Sequence, residues 1–171
     1  MGGIKSLFQF RSYKVDRLNL DTGRSLELLS WQQVPTELSW QMKLSIRRPL
    51  FFTKHSYYVG GVDCKILLLK GESEAEEVEA DEQEEITPEN AIVRLNIGIA
   101  GVFEVGEERF PEEIEKSLVK VQIPMILLPY LRAAASSILA NGGFGSVVLP
   151  LINIQKVAED HLTQLDVRIV D

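Results

Sequence analysis

The sequence has very little cysteine and histidine, with one cysteine and two histidines among 171 residues. A single cysteine, Cys64, excludes an internal disulfide framework and is typical of proteins from a reducing compartment. His55 and His161 do not form a metal-ligand spacing. The sequence also lacks a glycine-rich nucleotide loop and a nucleophile elbow. We therefore expect no cofactor, no metal and no enzymatic activity; a small enzyme would have to depend on Cys64 and His161.

Long hydrophobic runs are also missing, because prolines or charges interrupt every apolar stretch before it reaches transmembrane length. Residues 1–14 contain no apolar segment of the kind that secretory signals have. The sequence therefore predicts a cytoplasmic protein that does not insert into membranes.

Charge is unevenly distributed in a chain that is otherwise of ordinary globular composition. The length of 171 residues, with 45% hydrophobic and 25% charged residues, predicts a single domain over 1–171. The net charge is −7, and residues 71–90 hold ten of the 25 acidic residues without one basic residue. We interpret residues 71–90 as a flexible acidic loop between two strands, with a nucleic-acid mimic or an acidic activation tail as the alternatives.

Four stretches alternate between apolar and polar residues, as antiparallel strands with one buried face do. Residues 37–47 alternate without exception, and residues 57–69 and 91–105 alternate over a longer range. Residues 7–20 alternate with two phase slips, which predicts a bulge or bend. Gly98 and Gly101 interrupt the fourth strand, as at a bulge or a close backbone approach.

Helical patterns follow the strands. Residues 110–121 predict a short helix, and from Leu127 apolar residues recur at helical spacing until Asn141-Gly142-Gly143 stops the helix. Pro124 suits a first helical turn, whereas Pro129 should bend or delay the helix. Asn153 is a candidate cap of a last helix at about 155–165.

This order of elements predicts an α+β fold in which a four-stranded antiparallel meander carries two main helices packed on one side. The run from Ala133 to Ser137 consists of small residues, which allow a second helix to approach closely. An ordinary core helix is the alternative interpretation of this segment.

The second half of the chain resembles the SecB family of export chaperones. The run from Pro124 to Arg132 is similar to the family's proline, asparagine, isoleucine, leucine, phenylalanine, proline, tyrosine, any residue, arginine sequence. Gly101-Val102-Phe103 resembles the end of the family's fourth strand, and Gly142-Gly143-Phe144 resembles its glycine, threonine, phenylalanine turn. Val148-Leu149-Pro150 and Asn153-Ile154 resemble the segment that leads into its last helix.

The resemblance implies a homotetramer, a dimer of dimers, that holds unfolded polypeptides without ATP in protein export or in antitoxin control. The clients would be preproteins or an antitoxin. Apolar residues in two stretches are candidates for a client-binding groove: Trp31, Leu38, Trp40, Met42, Leu44, Phe144, Val148, Leu149 and Ile152. The long helix would supply the oligomer interface through Ala133, Ala134, Ala135, Ser137 and Ile138. For each residue from Leu38 to Ile46, burial in the core under the helix is the alternative to client binding.

The second strand departs from the family. There the family carries acidic residues that help to bind the SecA motor, whereas this chain reads Lys43, Arg47 and Arg48. The resemblance therefore suggests SecA as a partner, whereas the positive charge of this strand argues against SecA binding.

Two other functions compete with the chaperone. A structural or assembly oligomer without clients would use the same fold and bury its apolar faces between subunits. Basic residues near Phe51 and Phe52 could bind single-stranded nucleic acid, but a pI near 5.0 argues against it.

Overall fold

The computed structural model describes residues 8–22, 38–70, 91–106, 111–145, 147, 149, 151–160 and 166–171. Four long strands occupy the four alternating stretches of the sequence, as predicted. They are β1 (Phe8–Asp21), β2 (Leu38–Ile46), β4 (Tyr57–Lys70) and β5 (Ala91–Val105). Two short strands, β3 (Leu50–Phe52) and β6 (Arg168–Val170), bring the sheet to six strands. The acidic run 71–90, Trp31 and His161 lie outside the described residues.

The strand order corrects the predicted four-stranded meander. The sheet runs β1-β5-β4-β3-β6, and β2 also pairs with β4. The first strand therefore lies beside β5 rather than beside its neighbour in sequence. Only β2, β4 and β5 follow one another in the sheet as a meander requires. Alternation predicts which residues form a strand and which face is apolar, but it does not specify the neighbouring strand.

Strand β1 has the two irregularities that its phase slips predicted. Its pairing with β5 shifts register between Phe10 and Ser12 and again between Val15 and Arg17. Each shift leaves one extra residue on β1, Arg11 and Asp16 respectively. The bulges return the apolar residues of β1 to one face of the sheet.

The two short strands were missed by the sequence analysis. Strand β3 pairs with β4, and β6 runs parallel to β3. The backbone N–H of Arg168 donates to the Pro49 carbonyl at 2.9 Å, and Nε of Arg48 donates to the Asp166 carbonyl at 2.6 Å. Three-residue strands are too short to show a periodicity.

Helix α1 is continuous from Glu112 to Leu139, which corrects the two separate helices predicted from the prolines. Both Pro124 and Pro129 lie inside it. Each proline removes one main-chain hydrogen bond, but the helix is held by its packing. By length and composition this helix could span a bilayer, which corrects the statement that no stretch is that long. One side of it packs on the sheet.

The buried side of α1 has an unusual spacing, because a residue is buried at every fourth position. The fully or nearly fully buried members are Glu115, Val119, Ile123, Leu127, Leu131, Ala135 and Leu139. In a helix of 3.6 residues per turn such a row drifts by about 40° at each step. The buried side therefore rotates around the helix axis along its length. It faces the sheet at the start of the helix and turns towards the segments that follow the helix in sequence at its end.

Helix α1 lies very close to the sheet because two glycines face it. A Cβ atom placed on Gly60 would lie 2.5 Å from Ile123 Cγ2, and one on Gly101 would lie 2.7 Å from Leu127 Cδ2. The face of the sheet towards α1 is called the inner face below. The inner face and α1 together enclose one hydrophobic core, and the close approach predicted for Gly101 is confirmed.

The C-terminal end of α1 is a π-helical turn over Ala140–Phe144 in which Gly143 has φ of 91°. The predicted stop at Asn141-Gly142-Gly143 is confirmed, since glycine adopts this conformation without a Cβ clash. The following helix, α2 (Ile154–Asp160), packs against α1. Its cap is the predicted one: Asn153 Oδ1 accepts the N–H of Lys156 at 3.1 Å.

Candidate functional site

A buried hydrogen bond fixes the start of α1 on the sheet. The Tyr58 hydroxyl lies 2.5 Å from Glu115 Oε1, and the Glu115 side chain is only 3% exposed. Burying a carboxyl group is unfavourable unless it is hydrogen bonded. This pair therefore positions the helix relative to β4, and with it every residue that the helix presents.

Arg132 connects the helix to the segment that follows it. Its Nη2 donates to the Leu149 carbonyl at 2.7 Å. This bond holds the connection between α1 and α2 against the core, where Leu149 is 3% exposed. The last residue of the run from Pro124 to Arg132 thus has a structural role.

The candidate client-binding residues divide into three groups. Leu44 and Leu149 are buried in the core of the protomer. Trp40, Met42, Phe144 and Ile152 are half-buried and pack against that same core. The remaining positions are not described: Trp31 and Val148 lie outside the described residues, and of Leu38 only the backbone is described.

The four half-buried residues, Trp40, Met42, Phe144 and Ile152, are only partly covered where they pack against the core, and they are called the margin below. Met42 pairs with Ile66, which lies in one row with Leu95 and Leu20 across the sheet. At the opposite end of this row, a Cβ on Gly142 would lie 3.4 Å from both Leu20 Cδ2 and Phe144 Cδ2. Leu151, in the connection to α2, is 94% exposed. The margin therefore leaves part of its apolar surface accessible to solvent.

The candidate interface residues on α1 also divide by the face they occupy. Ala135 is buried on the sheet side, whereas Ala133 and Ser137 are exposed and Ala134 and Ile138 are half-buried. Exposed residues recur every four positions at Met125, Pro129, Ala133 and Ser137. An interface on this helix would therefore use Ala133 and Ser137 rather than Ala135.

The exposed helix face continues onto β1 through an aromatic cluster. The ring centroids of Tyr13 and Tyr130 lie 4.5 Å apart, and those of Phe10 and Phe103 lie 5.2 Å apart. Tyr13 is 45% exposed and Leu18, further along β1, is 54% exposed. A continuous apolar surface thus joins α1 to strand β1.

The opposite, outer face of the sheet carries an ion cluster that the sequence analysis did not identify. Arg47 donates to both carboxylate oxygens of Asp63, at 2.8 and 2.6 Å, and to both of Asp16, at 2.6 and 2.8 Å. It lies over Gly98, where a Cβ would be 2.1 Å from Nη2. Asp16 is the bulged residue of β1, so the phase slip was the only sequence signal.

These contacts shift the pKa values of Asp16 and Arg47. Hydrogen bonds from Arg47 hold the pKa of Asp16 below its usual value, although partial burial opposes this effect. Hydrogen bonds to Asp63 and then to Asp16 raise the pKa of Arg47. The three side chains tie β1 and β4 together across β5.

Of the two conventional candidates for catalysis, the structure describes Cys64 but not His161. Cys64 is 4% exposed, and burial raises the pKa of its thiol to about 12. A buried thiol with a raised pKa carries little of the reactive thiolate. Among the residues that the structure describes, no group of three or more histidine, cysteine or carboxylate side chains could hold a metal ion.

Comparison with known proteins agrees with this geometry. The family model described as Preprotein translocase subunit SecB matches residues 72–165, which is more than half of the chain. The chain is 35% identical over 68 residues to a protein-export protein SecB of Dechloromonas aromatica, covering 40% of this chain and 43% of the relative. It is 36% identical over 66 residues to a protein-export protein SecB of Burkholderia vietnamiensis, covering 39% and 40%. The matched segment is thus less than half the length of these relatives.

A solved structure shares the fold over most of the chain. It is a SecB-like chaperone of Mycobacterium tuberculosis in complex with a ChAD peptide from the HigA1 antitoxin. The TM-score is 0.58 at 13% identity, and the match covers 85% of this chain and 91% of the other. The fold is an α+β scaffold that leaves apolar side chains partly exposed beside its core. The chain belongs to the SecB family, as a diverged member.

Proposed function

We propose that this protein is an ATP-independent chaperone of the cytoplasm that holds unfolded polypeptides. The observation that carries the proposal is the margin of half-buried apolar side chains Trp40, Met42, Phe144 and Ile152 around one core. The SecB family membership and the peptide complex of the M. tuberculosis neighbour support it.

The mechanism needs only apolar contact that is available without unfolding the chaperone. Trp40 and Met42 are held on β2 by nine consecutive residue pairs with β4, so they are positioned by a rigid strand. Phe144 and Ile152 lie on the irregular connection after α1, which can adjust to different side chains. A tryptophan and a methionine suit binding of unrelated apolar sequences, because they provide large contact areas with little directional demand.

The clients we propose are preproteins or an antitoxin. Both are polypeptides that expose apolar segments before they fold or find a partner. Apolar side chains of such a segment would be removed from water on contact with the margin. Each large apolar side chain that becomes fully buried contributes about 1.5–3 kcal/mol to the free energy of binding. No nucleotide is needed, because binding and release follow the client's own folding.

We also propose that the protein assembles as a homotetramer. The apolar surface formed by Tyr13, Leu18 and Tyr130 is exposed in the protomer and continues along α1 at Ala133. Contiguous exposed apolar surface of this kind marks an interface. The same observation favours the second candidate function, an assembly oligomer that has no clients.

Suppression of aggregation tests the leading proposal. A urea-unfolded globular protein is diluted into buffer without nucleotide, and light scattering is followed with and without this protein. We expect near-stoichiometric suppression. Trp40→Ala and Phe144→Ala should each weaken it several-fold while lowering the free energy of unfolding by less than a full core truncation does.

Leu44→Ala is the matched control for Trp40→Ala, because Leu44 lies four residues further on the same face of β2 but is buried. It should lower stability by about 2–5 kcal/mol and leave suppression intact below its melting temperature. If Trp40→Ala behaves like Leu44→Ala, the margin is core and the proposal is wrong.

A hydrophobic dye separates the two candidate functions. The chaperone is expected to bind 8-anilinonaphthalene sulfonate in its native oligomer, and the fluorescence should fall on addition of an unfolded client. A dark native oligomer that also fails to suppress aggregation would favour the assembly protein without clients.

A further inference from the structure

The outer face of the sheet has more basic than acidic side chains, although the whole chain is acidic. In β1, β2, β4 and β5, together with Arg47, this face carries seven cations and four carboxylates, placed by strand register or, for the bulged Arg11 and Asp16, by their ion pairs. The cations are Arg11, Lys14, Arg17, Lys43, Arg47, Lys65 and Arg94. The carboxylates are Asp16, Asp21, Asp63 and Glu104.

Arginines already neutralise all four carboxylates. Arg47 binds Asp16 and Asp63, Arg11 pairs with Glu104, and Arg94 lies 4.0 Å from Asp21. Within the described part of the chain, the lysines Lys14, Lys43 and Lys65 have no ion pair. The excess positive charge of this face therefore belongs to three lysines.

Two of these lysines are placed against each other. Lys43 on β2 and Lys65 on β4 are direct partners in the antiparallel ladder. Like charges directly opposite each other destabilise a sheet, so the fold gains nothing from this pair. An anionic ligand that lies between the two ammonium groups would remove the repulsion and gain two ionic contacts.

An apolar pit lies on the same outer face, beside Lys14 of β1 and diagonally across the sheet from the Lys43–Lys65 pair. It has a volume of about 390 Å³, and Val59, Ala100 and Val102 supply its apolar lining while Ser12 and Lys14 line it from β1. It exists because Ala100 leaves little side chain on the outer face of β5. The pit can accept one aliphatic side chain, with the Lys14 ammonium beside it.

The spacing of these features fits an extended peptide. Lys14 is opposite Ala100, and Lys65 is opposite Asn96, four residues along β5 and two strands from β1. At about 3.3 Å per residue and 4.8 Å per strand, the two positions are about 16 Å apart. About five residues of extended chain span this distance.

We propose that the outer face, from the Lys14 pit to the Lys43–Lys65 pair, is a docking surface for an acidic peptide segment of a partner protein that also carries an apolar side chain. The apolar side chain enters the pit, and carboxylates about five residues away lie between Lys43 and Lys65. This surface is on the other side of the sheet from the client-binding margin, so both can be occupied at once.

Fluorescence anisotropy with a defined peptide tests the proposal. The probe is a fluorescein-labelled ten-residue peptide with one leucine and, five residues further, three glutamates. Two comparison peptides replace the glutamates by glutamines or the leucine by serine. We expect the first peptide to bind, each replacement to weaken binding about ten-fold, and added salt to weaken only the glutamate peptides.

The lysine variants locate the binding. The double variant Lys43→Gln/Lys65→Gln should lose about ten-fold in affinity for the glutamate peptide. Lys54→Gln and Lys156→Gln, which change exposed lysines outside this face, should not change it. Ala100→Leu, which fills the pit, should abolish the preference for leucine over serine.

Three outcomes would overturn the proposal: equal binding of the glutamine peptide, no effect of the double variant, or tighter binding of a 20-nucleotide single-stranded DNA with the same lysine dependence. The last would assign the face to nucleic acid. Because the double variant removes a repulsion, it should stay folded by circular dichroism. Its suppression of aggregation should be unchanged, which separates this surface from the client-binding margin.

Discussion

At the scale of single residues, Arg47 joins two strands through four hydrogen bonds to carboxylate oxygens. It contacts carboxylates of both β1 and β4, and it needs the open space above Gly61 and Gly98 to do so. Bidentate contact from a planar guanidinium cannot be reproduced by lysine. The cluster therefore fixes the middle of β1, where its second bulge would otherwise loosen the pairing.

The pH dependence of stability should report on this cluster. Because Arg47 holds the pKa of Asp16 low, the folded protein protonates Asp16 at a lower pH than the unfolded chain does. The stabilisation is complete above about pH 4 and is lost as the pH falls through the depressed pKa. We expect Asp16→Asn to lower the free energy of unfolding at neutral pH by about 1–2 kcal/mol and to flatten its acid dependence.

Urea unfolding at neutral and acid pH measures this effect. Asp21→Asn is the control, since Asp21 is 56% exposed and lies 4.0 Å from Arg94; we expect it to change stability by less than about 0.5 kcal/mol. Parallel acid dependences of the wild type and Asp16→Asn would show that Asp16 does not contribute as described.

Single residues also mark the limit of sequence reasoning. Alternation correctly placed Trp40, Met42 and Leu44 on the same apolar face, but it could not predict that Leu44 is 5% exposed while Trp40 remains half-buried. The difference depends on where α1 and its connection cover the face. That coverage is a tertiary contact, which a strand pattern does not contain.

At the scale of secondary-structure elements, α1 is defined by its contact with the sheet rather than by its own propensity. Its two internal prolines predict a division into two helices, but the helix is continuous. The continuous helix keeps seven buried positions at four-residue spacing, and its start is held by the Glu115–Tyr58 hydrogen bond. Packing of this extent outweighs the loss of two main-chain hydrogen bonds.

The closeness of α1 to the sheet can be tested at Gly60. A Cβ there would meet only Ile123 at close range, at 2.5 Å from Cγ2 and 3.2 Å from Cδ1. Gly60→Ala should therefore destabilise the protein by about 1–3 kcal/mol, and Ile123→Ala by about 2–5 kcal/mol.

The double variant Gly60→Ala/Ile123→Ala removes the clash that Gly60→Ala alone creates, because the shorter side chain at position 123 leaves room for the new Cβ. We expect its destabilisation to be smaller than the sum of the two single effects by at least about 0.5 kcal/mol. Chemical denaturation of the four proteins gives this coupling directly. Simple additivity would mean that the glycine is not required for the approach of the helix.

The four long strands, the two β1 bulges, the helix stop and the Asn153 cap could all be predicted, because each depends on a few neighbouring residues. The position of β1 beside β5 could not, since it is set by a contact between residues about 90 positions apart. The run from Pro124 to Arg132 indicated the family, but only the structure shows that Arg132 holds the Leu149 carbonyl.

At the scale of the whole molecule, the protomer presents two surfaces with different chemistry. The inner side offers apolar residues on β1, on α1 and at the margin of the core. The outer side is polar and basic around a neutralised arginine cluster. The assembly, client binding and partner docking that we propose would therefore use separate areas of one small sheet.

Assembly can be tested on the exposed side of α1. Ala133→Glu places a charge on the apolar surface shared with Tyr130, and we expect it to reduce the mass of the oligomer, measured by light scattering, while the circular dichroism spectrum stays the same. Ser117→Glu is the control, because Ser117 is exposed on a different side of the same helix. An unchanged mass for Ala133→Glu would exclude this surface as the interface.

The four-residue spacing along α1 has a consequence for how two protomers could meet. The exposed positions Met125, Pro129, Ala133 and Ser137 form a ridge that is inclined by about 26° to the helix axis. Two helices that interdigitate such ridges cross at about 50°. Contact would then be concentrated near one crossing point, where alanine and serine permit a short interaxial distance. The splayed helix ends would direct the two client-binding margins away from each other.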